Sequence, residues 1–238
     1  MPKEGIYTIL STKILTKSQQ ELVLNAKLHF LHYDAIKIDF LDFDFPTTAL
    51  DYLIFTSQNG VQGFLNKVRT LSHAQEKGTG ERKIFCVGGK TKSLLEENGF
   101  KVEEMAENSA ALAAILLKKY RNRSFLHVSG NLTLPDLQQT LKENNVRYKK
   151  LIAYRTIANT KTFNQIFDVI LFFSPSGVQS FFEKNRIGEG MAICIGETTA
   201  AEAKKYTDKI IMAKKPTVEN VIVQAVRYFK GIQHEITK

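Results

Sequence analysis

At 238 residues the chain has room for one large domain or two small ones, and 43% hydrophobic with 24% charged residues is the composition of an ordinary globular protein. No apolar run approaches ~20 residues, and the opening M-P-K-E-G lacks the basic-then-apolar build of a signal peptide. A cytoplasmic location without membrane contact is therefore expected. The formal charge of +9 calls for an anionic partner, but there is no Arg-rich run and no basic patch interleaved with aromatics. Nucleic acid is set aside in favour of a polyanionic small molecule.

In chain order, residues 6–11 (I-Y-T-I-L-S) read as a first strand, and 18–28 as a helix with Ser18 and Glu21 spaced as a capping box. Residues 35–41 alternate as a strand, and the chain leaves the domain by Phe45-Pro46. Next comes strand 52–56, a turn, and helix 61–68; residues 72–82 are polar and read as a surface loop. Strand 84–87, the turn Gly88-Gly89-Lys90-Thr91 and a helix to Asn98 form a second unit, with Gly99 as its C-cap. Strand 101–105 precedes helix 110–120, N-capped by Ser109. Strand 125–128 ends in Ser129-Gly130-Asn131 before helix 135–143, and strand 149–156 carries Tyr154.

The apolar run 169–173 then suits a strand buried on both faces, and it ends in Ser174-Pro175-Ser176-Gly177 before a helix begins. Strand 192–195, the turn Gly196-Glu197-Thr198-Thr199, helix 200–206, strand 209–213 and a helix to 229 complete the chain, with a frayed tail expected after Gly231.

The chain contains this pattern twice. Residues 53–65 share six of thirteen residues with the stretch around Ser174, and I-F-C-V-G-G-K-T (84–91) matches A-I-C-I-G-E-T-T (192–199). Two copies of roughly a hundred residues exclude a solenoid and imply two similar domains. The middle copy has five strands, whereas the later copy has three, and the missing two are available at the chain's N-terminal end. We therefore expect two flavodoxin-like α/β domains, each a five-stranded parallel sheet. Residues 1–40 with 160–238 form a discontinuous domain, 50–153 an inserted one, and 41–49 with 154–159 are linkers that make a two-crossing hinge. The cleft between the domains is the default ligand site.

Cys86 and Cys194 fall at equivalent strand positions and read as buried structural thiols. The five histidines do not combine with cysteines or carboxylates at metal-ligand spacing. A phosphate loop would need glycine at residue 84, which is isoleucine, and no G-x-G-x-x-G or G-x-S-x-G occurs. No cofactor or metal is expected. What remains is a set of hydroxyls and backbone N–H groups at strand ends: Ser57, Gly88, Thr91 and Ser129 in one copy, Ser174, Ser176, Gly196, Thr198 and Thr199 in the other. Such residues cap helices, and a capped N-terminus still presents donors to an anion. Tyr154 stands where the chain leaves the inserted domain, as an interface tyrosine or as a functional phenol.

The paired F-x-S-x-x-G-V turns, I-G-x-T-T-A (195–200), the V-x-Y-R-T-like 152–156 and P-T-x-E (216–219) together resemble the uroporphyrinogen-III synthase family. The resemblance implies an enzyme of heme and siroheme synthesis. It would close hydroxymethylbilane to uroporphyrinogen III with inversion of the last pyrrole ring and loss of water, as a monomer without cofactor. The implied partners are the polycarboxylate linear tetrapyrrole and hydroxymethylbilane synthase. The family's tyrosine falls on Tyr154, its threonines on Thr91 and Thr199, and the arginine that commonly ends its first strand is replaced here by Ser11-Thr12-Lys13, so Lys13 becomes the candidate charge. The competing expectations are a catalytically degenerate relative that binds or senses an anionic ligand, and a sugar-nucleotide transferase.

Overall fold

The structure, a computed structural model, describes residues 7–46, 52–71, 83–133 and 135–236. The expected loop 72–82 lies outside the described residues. The elements are β1 (Thr8–Ser11), α1 (Lys17–Leu24), β2 (His29–His32), β3 (Ile36–Phe40), β4 (Tyr52–Phe55), α2 (Gln58–Leu71), β5 (Lys83–Val87), α3 (Gly89–Glu97), β6 (Val102–Ala106), α4 (Ser109–Lys119), β7 (Ser124–Gly130), α5 (Asp136–Glu143), β8 (Arg147–Ala158), β9 (Val169–Phe172), α6 (Pro175–Phe182), β10 (Met191–Cys194), α7 (Glu197–Ala203), β11 (Ile210–Met212) and α8 (Val218–Ile236). They form two compact units, residues 1–37 with 157–238 and residues 38–156. The dividing points fall before the expected 41–49 at the first crossing and within the expected 154–159 at the second.

In the first unit the sheet order is β11-β10-β9-β1-β2, with β1 pairing in parallel to β9 and to β2. A single short strand from the N-terminal end thus sits inside a sheet whose β9, β10 and β11 come from the C-terminal end. Asp168 clamps the join, its Oδ2 accepting the Thr8 N–H at 2.8 Å. One face is covered by α6 and α7 around Phe172, Phe181 and Phe182, the other by α1 and α8 around Val221, Ile222 and Phe229. All four residues of β9 are buried, as its apolar run requires when helices lie on both faces.

The second unit has a six-stranded sheet, β3-β8-β7-β4-β5-β6, where five strands were expected. One helical layer is α2 with α3, around Phe64 and Leu95; the other is α4 with α5, around Leu112, Leu116 and Leu141. Both sheets reverse direction of growth once. Counted along the chain, the first runs 2-1-3-4-5, and the second, leaving β3 aside, runs 3-2-1-4-5. The reversals lie between β9 and β1 and between β4 and β7, which are the places where open α/β sheets leave a crevice at the strands' carboxyl ends.

The sixth strand corrects the expected assignment of 35–41. That segment does not supply the last strand of the discontinuous domain; β2 does, and β3 joins the other sheet through β8. The cause is length. At twelve residues β8 extends past its pairing with β7 and offers its other edge, where Leu41 N–H reaches Ala153 O at 3.0 Å. β2 escapes recognition because it is a four-residue edge strand, His29 and Leu31 exposed, that reads as the end of a helix. Accordingly α1 stops at Leu24, and its capping box is Thr16 with Gln19 rather than Ser18 with Glu21. The cap of α4 is Asn108, one residue before Ser109, and α8 continues past Gly231 to Ile236.

Candidate functional site

In the second unit the reversal point is built by β4, β7 and β8. Phe55 ends β4, and Ser57 follows at the start of α2, where its Oγ accepts the Gly60 N–H at 3.1 Å. The same Oγ lies 3.1 Å from the Tyr154 hydroxyl. Tyr154 is brought there by a bulge: β8 pairs Ile152 with Ser129 but Tyr154 with Gly130, so Ala153 is the extra residue. Its ring then lies on Gly130. A Cβ at that glycine would sit 2.5 Å from the Cε2 and Cζ of the ring, so only hydrogen fits. Tyr154 is therefore a half-buried residue within β8 and not a linker residue.

Ser129, next to Gly130, is 1% exposed, and its Oγ has no hydrogen-bond partner among the described residues. Gly88 starts α3 without a side-chain cap at φ 83°, a left-handed conformation that favours glycine. Thr91, at the third position of that helix, is 4% exposed and faces inward. A pocket of about 380 Å³ opens beside this helix start, lined by Gln58, Gly89, Lys90, Ser93, Leu94 and Glu97. It mixes an ammonium, a carboxylate and neutral donors. Of its lining, only Gly89 and Lys90 belong to the turn that the sequence pattern marks.

The first unit repeats the construction. Ser174 Oγ accepts the Gly177 N–H at 3.1 Å and caps α6, and Ser176 Oγ is 3.1 Å away. Gly196 opens α7 without a side-chain cap, in extended conformation. Thr198 is exposed, while Thr199 is buried at 2% exposure, as Thr91 is. Lys13 is exposed just past β1 and has no ion-pair partner among the described residues. Each unit therefore gathers its own candidates at the carboxyl edge of its sheet.

One polar cluster escaped the sequence reading. His127 in β7 is 1% exposed; its Nε2 lies 2.9 Å from Thr56 Oγ1 and its Nδ1 2.6 Å from the Tyr148 hydroxyl. Burial, helped by the Lys150 charge, pushes the imidazole down to about 4, so it is neutral at pH 7. Burial also raises the Tyr148 hydroxyl. The signal that was available is parity: His127 and Phe125 share a face of β7, and Phe125 is core. Cys86 and Cys194 are buried free thiols, raised by burial to about 11 and about 12 respectively, which keeps them protonated and inert.

The family model described as uroporphyrinogen-III synthase HemD matches residues 29–222. The porphyrin biosynthesis protein HemD of Ruminiclostridium josui is 25% identical over 190 residues, 72% of this chain and 36% of that protein, so the chain spans only about a third of this relative. The uroporphyrinogen-III synthase of Chlorobaculum parvum is 24% identical over 195 residues, 74% of this chain and 79% of that one. Among solved structures, the uroporphyrinogen-III synthetase of Helicobacter pylori superposes with a TM-score of 0.69 at 19% identity, covering 94% of this chain and 100% of that one. A mutant uroporphyrinogen III synthase of Thermus thermophilus gives 0.68 at 15% identity, covering 96% and 99%. At these identities the structures speak for the fold. The family match, which takes in well over half of the chain, speaks for more: this chain belongs to the uroporphyrinogen-III synthase family, enzymes of tetrapyrrole synthesis.

Proposed function

We propose that the protein is a cyclising lyase that converts hydroxymethylbilane to uroporphyrinogen III. The observation that carries this reading, in a chain of this family, is the Tyr154 phenol fixed against Ser57 and Gly130 at the reversal point of its sheet. Breaking the C–O bond of the substrate's hydroxymethyl group places the electron pair on oxygen, and a positioned O–H can supply the proton that lets it depart as water. The pyrrole nitrogen of that ring feeds electrons into the cation left behind, so no metal or cofactor is needed for the step. The remaining task is geometric: holding the chain's two ends so that the last ring inverts before closure.

On this reading Gly88, Ser174, Ser176, Gly196, Thr198 and Lys13 meet the substrate's carboxylates with N–H, O–H and ammonium donors, whereas Ser129, at 1% exposure, is too buried to do so. Thr91 and Thr199, being buried, act by fixing the first turns of α3 and α7. The protein works as a monomer and takes its substrate from hydroxymethylbilane synthase. The test is to supply freshly made hydroxymethylbilane and resolve the product isomers. Uncatalysed closure gives only isomer I; isomer III is expected in excess, and its absence would remove the enzyme reading.

A further inference from the structure

We propose that Ser57 is a positioning residue for the Tyr154 phenol, donating its own hydrogen to the phenolic oxygen so that the phenol's hydrogen is left pointing outward for transfer. This rests on the functional reading above and gives Ser57 a role other than holding a carboxylate.

A serine hydroxyl has one hydrogen to give and two lone pairs. At Ser57 one lone pair is taken by the Gly60 N–H, and among the described residues the only other group within hydrogen-bond distance of its Oγ is the Tyr154 hydroxyl. If Tyr154 were the donor, its proton would be turned into the protein and the Ser57 hydrogen would have no acceptor there. With Ser57 as donor, both hydroxyls are used in one direction: Gly60 N–H to Ser57 Oγ, Ser57 O–H to Tyr154 Oη, and Tyr154 O–H outward. Each acceptance polarises the next donor. The ring cannot swing to another arrangement while it lies on Gly130, where even a methyl group would clash at 2.5 Å.

The duplicated unit supplies a comparison inside the same chain. Ser174 accepts the Gly177 N–H at the same 3.1 Å, but its second contact is Ser176, not a phenol. The tyrosine that follows the corresponding strand, Tyr33 after β2, is 7% exposed with its hydroxyl unpartnered among the described residues, and burial raises it to about 12. Two copies of one serine cap have diverged, and only the copy at Ser57 carries a tyrosine.

During the reaction the substrate's C–O bond breaks, the phenol proton passes to the departing oxygen, and water leaves. The Ser57 hydrogen stabilises the charge that builds on the phenolic oxygen. Tyr154 regains its proton when the pyrrole that closes the macrocycle loses one from its α-carbon and that ring recovers its aromaticity.

The experiment is a double-mutant cycle on the full chain, read as kcat and KM for formation of isomer III. Ser57→Ala is expected to lower kcat about tenfold or more while KM stays within about twofold. Ser57→Thr, which keeps the hydroxyl, restores most of the loss. Ser57→Asp keeps a helix cap but has no hydrogen to give, so its kcat falls as well, which separates the effect from capping and replaces the alanine variant should that fail to fold. Added to Tyr154→Phe, Ser57→Ala costs nothing further. A raised KM with unchanged kcat, or the same loss in the Tyr154→Phe background as in the wild type, overturns this inference alone. A wild type that makes only isomer I overturns the functional reading and this inference with it.

Discussion

His127 is the residue where burial, hydrogen bonding and protonation meet most sharply. A neutral imidazole has one N–H and one bare nitrogen, so of Thr56 and Tyr148 one donates to it and the other accepts. Protonation would demand two acceptors and put a charge beneath α4 and α5, in a sheet position opposite Lys150. Burial therefore depresses the group from 6.5 to about 4. The sign follows: below pH 6.5 the unfolded chain takes up a proton that the folded one refuses. The stabilisation is whole above about pH 6.5 and is lost as the pH falls through 4, an effect on the order of 3 kcal/mol. Urea denaturation at pH 7.0, 5.5 and 4.5 should show this loss in the wild type and a flatter profile in His127→Gln. An equal slope in both would assign the titration to other groups. Tyr148→Phe is then expected to cost about 1–2 kcal/mol, because it removes a partner from a buried nitrogen.

The bulged end of β8 places a phenol where regular pairing would not. Gly130 is the enabling residue, since the strand pair β7 and β8 passes Tyr154 across it with no room for a side chain. Gly130→Ala is expected to destabilise the protein by about 1–3 kcal/mol, from overpacking against the ring, and to lower activity by displacing the phenol from Ser57. In a Tyr154→Ala background the same change should cost close to nothing, as urea midpoints of the four proteins would reveal. A penalty that persists there would trace the strain to the backbone. This feature also marks how far the sequence can be read. The turns at Ser57 and Ser174 are legible because hydroxyl, glycine and apolar stripe recur at fixed local spacing in both copies. The pairing of Ser57 with Tyr154, 97 residues apart, and of His127 with Thr56, 71 apart, depends on strand register, which no local pattern records. The two strands that differ from expectation do so for the same reason: β2 is too short and exposed to announce itself, while β3 alternates clearly but its partner is decided by the surplus length of β8.

At the scale of the molecule the two sheets differ in how far along the chain their strands must search for partners. In the second unit β4, β5 and β6 follow each other with one helix between, and β4 closes with β7 over 73 residues. In the first unit β1 must find β9 across 160 residues, and until it does β9 lacks one neighbour and β2 is held to nothing but β1. Loop-closure entropy grows only as the logarithm of length. The larger delay comes from order, because a folded second unit must span the gap, and non-local pairing is slow at equal stability. Refolding followed by pulsed hydrogen exchange should therefore protect the amides of β4, β5 and β7 before those of β1 and β9. The Thr8 amide, bonded to Asp168, is the most direct reporter of closure. Asp168→Asn should slow protection of β1, leave that of β4 unchanged, and lower overall stability by about 1–2 kcal/mol, the difference between a charge-assisted and a neutral acceptor. Simultaneous protection of both sheets would mean that the units fold as one cooperative block and that the discontinuous order of the chain carries no kinetic penalty.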